Sequence, residues 1–135
     1  RTADAVGADA VIAAAPITDW GNPNVVRASK GTVFAVPVAA ADSVDVLSWA
    51  KAGGLRVVAA TPDTDTLFTD VDFTGPSAIA VGSEKHGLSD EWLASADVLV
   101  RIPMAGLANS LNVATSAAII LYEALRQRRA QSSDV

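Results

Sequence analysis

Short β-branched apolar runs alternate along this chain with Ala-rich or amphipathic stretches, and that alternation constrains the fold more than any other feature. It reads as βα units around a mostly parallel sheet. Strands are predicted at Asp9–Ala14, Thr32–Val36, Leu55–Ala60, Ser77–Val81 and Val98–Ile102. Several are nearly continuous apolar runs, the pattern of strands covered on both faces. Arg1–Val6 reads as the tail of a helix ended by Gly7, so a strand and a loop are expected upstream of Arg1. Helices are predicted at Pro23–Ser29 and at Asp42–Ala52, the second stopped by Gly53-Gly54. Ser89 is placed to N-cap a short helix through Ala94, with Asp90 and Glu91 favourable in its first turn. In the last helix Leu111, Ala114, Ala118, Leu121 and Leu125 form one apolar stripe behind Ser110 as N-cap. Arg126, Arg128 and Arg129 would end that helix, Gln131–Val135 would fray, and Pro62–Asp72 reads as an acidic surface loop.

At 135 residues, half of them hydrophobic, the chain suits one domain with a real core, and disorder is not expected. No cysteine means no disulfide scaffold, thiolate metal site or cysteine nucleophile, and the single histidine, His86, leaves no multi-histidine zinc site. No apolar run approaches the roughly 18 residues of a membrane span, and the start carries no signal-peptide pattern.

Familiar phosphate and nucleophile motifs fail. Gly82–Ser89 has the spacing of a phosphate loop, but Leu88 stands where the lysine belongs. No G-x-G-x-x-G follows a strand, and Ser110 lacks a nucleophile elbow. What remains is a cluster at strand ends: Val81-Gly82-Ser83-Glu84, Arg101-Ile102-Pro103-Met104, and Asn109-Ser110-Leu111-Asn112-Val113 at the start of the last helix. In an open α/β sheet, ligands bind outside the carboxyl ends of the strands. Three irregular segments meeting there present backbone N–H and C=O groups to a planar polar ligand, with Ile102, Met104 and Leu111 as an apolar wall.

Those segments resemble the SPOUT class, specifically the SpoU/TrmH family of RNA ribose 2′-O-methyltransferases. Ala80-Val81-Gly82-Ser83-Glu84-Lys85-His86-Gly87-Leu88-Ser89 is similar to the family's second motif. Val100-Arg101-Ile102-Pro103-Met104-Ala105-Gly106 with Ser110-Leu111-Asn112-Val113-Ala114 is similar to its third. Arg1–Ala8 resembles the second half of its first motif, whose leading Asn would lie upstream. The resemblance covers essentially the whole chain. It implies an α/β domain with a deep trefoil knot over roughly Gly82–Glu123, a homodimer through that knot, and S-adenosylmethionine as cofactor. Carried over by position, Gly82, Ile102 and Leu111 would contact the cofactor, with Ala60, Thr61, Pro103 and Met104 adding to the pocket wall. Arg1 would be the catalytic arginine, and Glu84, Ser110 and Asn112 would organise the site or the RNA. Because a guanidinium stays protonated, Arg1 is better suited to the phosphate and the developing oxyanion than to acting as base. No metal is needed, since the leaving thioether is neutral.

The resemblance implies a cytoplasmic RNA methyltransferase domain. Its substrate would be ribosomal RNA, 23S among the candidates, rather than transfer RNA, because the tRNA branch carries a basic C-terminal extension. An antibiotic-resistance role, a tRNA guanosine 2′-O-methyltransferase, a non-catalytic knotted RNA-binding module and an unknotted ligand-binding domain stay open. Ten basic residues against fifteen acidic ones give a net charge of −5. Residues 1–125 alone carry −7, so RNA affinity is expected from the dimer, the arginine-rich helix end and a separate upstream domain.

Overall fold

The computed structural model describes residues 5–14, 38–82, 87–107 and 111–133. Their elements are β1 (Val11–Ala13), β2 (Val38–Ala40), α1 (Ser43–Ala52), β3 (Arg56–Ala60), β4 (Ser77–Ala80), α2 (Asp90–Ser95), β5 (Val98–Val100) and α3 (Val113–Ser133), with a 3-10 turn at Phe68–Asp70. The chain forms two compact units, Arg1–Ser48 and Trp49–Val135. The expected strand Thr32–Val36 and helix Pro23–Ser29 lie outside the described residues.

In the first unit β1 and β2 pair in parallel, Val11 opposite Val38 and Ala13 opposite Ala40. β2 had no counterpart in the sequence reading, because its two alanines are poor strand formers and only its partner reveals it. Ala5 and Val6 are helical and Gly7 takes φ +75°, the left-handed turn that stops the helix as expected.

The second unit holds a parallel sheet of order β4-β3-β5. Its central strand explains the apolar run: Val57, Val58 and Ala59 are fully buried, as a strand covered on both faces must be. Gly54, at φ +72°, provides the turn from α1 into β3 where Gly53-Gly54 was expected to do so. Val58, Val71, Phe73, Val100 and Ile120 form the core, with Ile79, Val98 and Ile102 packed against it. At the amino end of the sheet the Val57 N–H donates to Asp97 Oδ2 at 2.7 Å, and the Asp97 N–H donates to the Val57 carbonyl at 2.9 Å.

Three local expectations change. Ser89 occupies the N-cap position of α2, but its side chain makes no capping bond. α3 is capped by Asn112, whose Oδ1 accepts the Thr115 N–H at 2.8 Å; the expected cap, Ser110, lies outside the described residues. The helix then continues to Ser133, through the arginines and most of the supposed frayed tail.

The buried stripe of α3 is also displaced. Ala114 is exposed and Leu121 and Leu125 are half-buried, whereas Ile120 and Glu123 are buried and Ala124 packs on the core. Polar side chains take core-facing positions because the loop entering β4 supplies them with partners. Gln127 Oε1 accepts the Phe73 N–H at 2.8 Å, and its Nε2 donates to the Val71 carbonyl at 2.9 Å. Arg128 donates to the carbonyls of Phe73 and Gly75, both at 2.9 Å. Pro62–Asp72 is therefore more than a surface loop, since Val71 is buried in the core. Beyond it, Asp72 accepts the Thr74 hydroxyl and N–H, bonds that hold its carboxyl below the ordinary range.

Glu123 is 7% exposed and receives Arg126 Nε at 2.7 Å and Nη2 at 3.0 Å. These bonds outweigh burial and hold its pKa below the ordinary 4.5. A depressed folded-state pKa contributes stability that is complete above the unfolded value and is lost as pH falls through the folded one. Urea titrations of the wild type and Glu123→Gln should thus differ by a constant amount from neutral pH down to 4.5 and converge below it. A difference that persists in strong acid would assign the effect to shape rather than charge.

Candidate functional site

The parallel register brings the carboxyl ends of three strands to one edge. Ala59 stands opposite Ala80 and Ala60 opposite Val100. Continued past the last paired residues, by one position on β5 and two on β4, the register sets Gly82, Thr61 and Arg101 in a row, and the Thr61 N–H donates to the Val100 carbonyl at 2.9 Å. Thr61 is buried, and its Oγ1 accepts the Asp63 N–H at 3.2 Å, turning the chain away from the edge.

The turned chain then wraps β5. The Arg101 N–H donates to the Thr66 carbonyl at 2.9 Å, and the Phe68 N–H donates to the Arg101 carbonyl at 3.1 Å. Backbone groups of successive strand residues face opposite sides. Val100 bonds β3, so Arg101 bonds outward, and Leu67 bridges it in parallel. β5 is therefore flanked by β3 on one side and segment 66–68 on the other, two stretches of earlier chain.

On the other side of Thr61, Gly82 is pressed against the backbone of Gly87 and Leu88, and a Cβ built there would collide with both. Only glycine fits that crossing. Gly87 itself takes φ +64°.

Of the residues singled out in sequence, Ala60, Thr61, Gly82 and Ile102 share this edge. Ile102 is half-buried against the core; Pro103, exposed, and Met104, half-buried, follow it. Leu111 is half-buried just before the cap of α3, and Asn112 spends its carbonyl oxygen on that cap. Arg1, Glu84 and Ser110 lie outside the described residues. Trp49 is 55% exposed and Trp92 half-buried, so neither fills the core. Arg126 and Arg128 are exposed and bond Glu123 and loop carbonyls, and the helix runs past them to Ser133, which corrects their expected place at its end. Arg101 enters the sequence analysis only as part of the strand-end cluster, with no role of its own. The available signal was a cation at an alternate position of the apolar run Val98–Ile102.

Among the described residues the edge is built from main chain, small residues and a few apolar side chains, with Arg101 as its cation. Among the described residues no cluster of His, Asp or Glu is arranged to hold a metal ion, and no helix is long and apolar enough to cross a membrane. A site of this kind grips a ligand through backbone hydrogen bonds and shape.

Fold and site together define a parallel α/β domain of the SPOUT type. The SpoU rRNA methylase family is matched over residues 1–122, and the chain belongs to that family. It is 42% identical over 134 residues to the 23S rRNA (uridine(2479)-2′-O)-methyltransferase of Streptomyces viridochromogenes, covering 95% of this chain and 47% of that protein. It is 38% identical over 131 residues to the tRNA (guanosine(18)-2′-O)-methyltransferase of Escherichia coli K12, covering 96% and 56%. The crystal structure of an AdoMet-bound rRNA methyltransferase from Sinorhizobium meliloti superposes with a TM-score of 0.89 at 40% identity, covering 93% of this chain and 49% of that one. The chain spans about half the length of these relatives.

Proposed function

We propose that this chain is the catalytic domain of an S-adenosylmethionine-dependent RNA ribose 2′-O-methyltransferase that acts on ribosomal RNA in the cytoplasm. The observation that carries the reading is the crowded carboxyl edge, with its glycine crossing at Gly82, in a chain of this family. The similarity to a 23S rRNA methyltransferase favours ribosomal RNA. The similarity to a tRNA guanosine methyltransferase keeps tRNA as the second reading.

The edge fits the cofactor on chemical grounds. Gly82, Ile102 and Leu111 would hold it largely through main chain, with Ala60, Thr61, Pro103 and Met104 as walls. When bound, S-adenosylmethionine supplies an electrophilic methyl group and a neutral leaving thioether. The work left to the protein is to orient a ribose 2′-hydroxyl in line and to accept or stabilise its charge. Arg1 is assigned to the phosphate and the developing oxyanion, with Glu84, Ser110 and Asn112 holding Arg1 or the RNA. The carbonyl of Asn112 caps α3, and among the described residues its amide N–H groups make no hydrogen bond, which leaves them for that task.

The reading includes a trefoil knot and a homodimer formed through it. The seating of β5 between β3 and segment 66–68, and the close passage of residues 87–88 over Gly82, support the first. The exposure of Val113 and Tyr122 on α3 supports the second. A further RNA-binding domain elsewhere in the protein would offset the acidity of this one.

The test is methyl transfer from labelled S-adenosylmethionine to total RNA by the full-length protein, followed by mapping of the modified nucleotide. Incorporation at a ribose of ribosomal RNA is expected. Incorporation only into tRNA selects the second reading, and none at all selects a non-catalytic RNA-binding module. Glu84→Ala and Asn112→Ala should each abolish transfer. Asn112→Ala should also cost about 1 kcal/mol of helix stability through the lost cap. Asn112→Asp keeps the cap and loses the amide donors, so a stable but inactive Asn112→Asp protein separates the two roles. Full activity in both alanine variants would refute the assigned site.

A further inference from the structure

We propose that Arg101 is the RNA-phosphate contact of this site, a role that rests on the methyltransferase reading above. Val98, Val100 and Ile102 pack on or within the core. Side chains alternate along a strand, so Arg101 projects from the opposite face, in the row that contains Thr61 and Gly82. Its backbone is fixed at both ends, by Thr66 and Phe68 on one side and by the Val100–Thr61 bond immediately before it. The stem therefore leaves a rigid base at the edge proposed to hold the cofactor.

The guanidinium is the unusual part. Arg56 donates to the Asp72 carbonyl, Arg126 is paired with Glu123, and Arg128 is bound to Phe73 and Gly75. Arg101 is half-buried, yet among the described residues its side chain has no hydrogen bond and no ion pair. Asp63 and Asp65, on the segment that wraps β5, do not pair with it. A partly desolvated cation without a partner is unfavourable, and an incoming anion removes that penalty. A planar fork of N–H donors suits the non-bridging oxygens of a phosphodiester. In a domain with twice as many acidic as basic residues over positions 1–125, one such cation beside the reaction centre would set where the RNA backbone lies.

Arg101→Gln and Arg101→Lys in the full-length protein test this. Binding of an RNA substrate fragment is measured as a function of salt, and S-adenosylmethionine binding by calorimetry. Arg101→Gln should weaken RNA binding roughly tenfold or more, as loss of a charge-assisted contact does. It should lower the slope of log affinity against log salt by about 0.7–0.9, one phosphate's worth. Arg101→Lys should keep the slope and lose part of the affinity, and cofactor affinity should stay unchanged in both. Unchanged RNA affinity and slope in Arg101→Gln would overturn the proposal. Loss of cofactor affinity with intact RNA binding would overturn it in favour of the cofactor's carboxylate. A wild-type protein that binds RNA but transfers no methyl group sinks the enzymatic reading and leaves the Arg101 comparison decisive. A wild type that binds no RNA sinks both.

Discussion

Gly82→Ala is expected to lose cofactor binding altogether and to destabilise the domain by about 3 kcal/mol, the upper range for inserting a methyl group into filled space. The added Cβ meets backbone on two sides, at Gly87 and Leu88. Backbone cannot rotate away as a side-chain end can, so the strand end after β4 or the crossing segment has to move. Either movement displaces the row Gly82–Thr61–Arg101, which is tied through the Thr61–Val100 hydrogen bond to β5. Thermal melting and S-adenosylmethionine calorimetry read the two effects separately. Gly75 is the control, since a Cβ there meets nothing and its φ lies outside the left-handed region. Gly75→Ala should leave both measurements close to wild type. A Gly82→Ala protein with normal stability and cofactor affinity would show that the crossing is loose.

Gln127→Ala carries the second large effect. One amide satisfies the Phe73 N–H and the Val71 carbonyl, on either side of a turn whose residues Val71 and Phe73 lie in the core. Truncation leaves both groups without their partner, and each unsatisfied buried backbone group costs about 1–3 kcal/mol. A loss of roughly 2–6 kcal/mol in urea unfolding is expected. Gln127→Glu is the sharper variant: it keeps an acceptor for Phe73, but sets a second carboxylate beside Glu123 and faces the Val71 carbonyl without a donor. It should be at least as destabilising at neutral pH and recover as the pH falls. If Gln127→Ala unfolds at wild-type denaturant concentration, water replaces the amide and the clamp is dispensable.

That clamp shows where sequence reading ran out. The leucine and alanine spacing in α3 is an apolar stripe that predicts a helix, and the segment is helical. The stripe said nothing about which neighbour the helix would meet. Ile120, Glu123, Ala124 and Gln127 face the core because the loop at Val71–Gly75, some fifty residues earlier in the chain, presents unpaired backbone groups to that face. Two of the arginines of α3 take partners for the same reason. Composition suggests a solvated, anion-seeking helix end; Arg126 and Arg128 are indeed exposed, but they bond Glu123 and the carbonyls of Phe73 and Gly75.

The site divides in a similar way. That Gly82, Thr61 and Ile102 stand at the carboxyl edge of the sheet is legible, because each closes or directly follows a strand predicted from the sequence. The role proposed for Arg101 is not, because it depends on a side chain that has no partner among the described residues. Strand alternation, apolar continuity and the glycine stops of α1 were enough to specify a parallel α/β domain, since these are local properties of the backbone and of burial. Tertiary structure alone decided the seating of β5, the close crossing at Gly82 and the buried face of α3. Each depends on hydrogen bonds and packing between segments far apart in sequence, whose register no local pattern encodes.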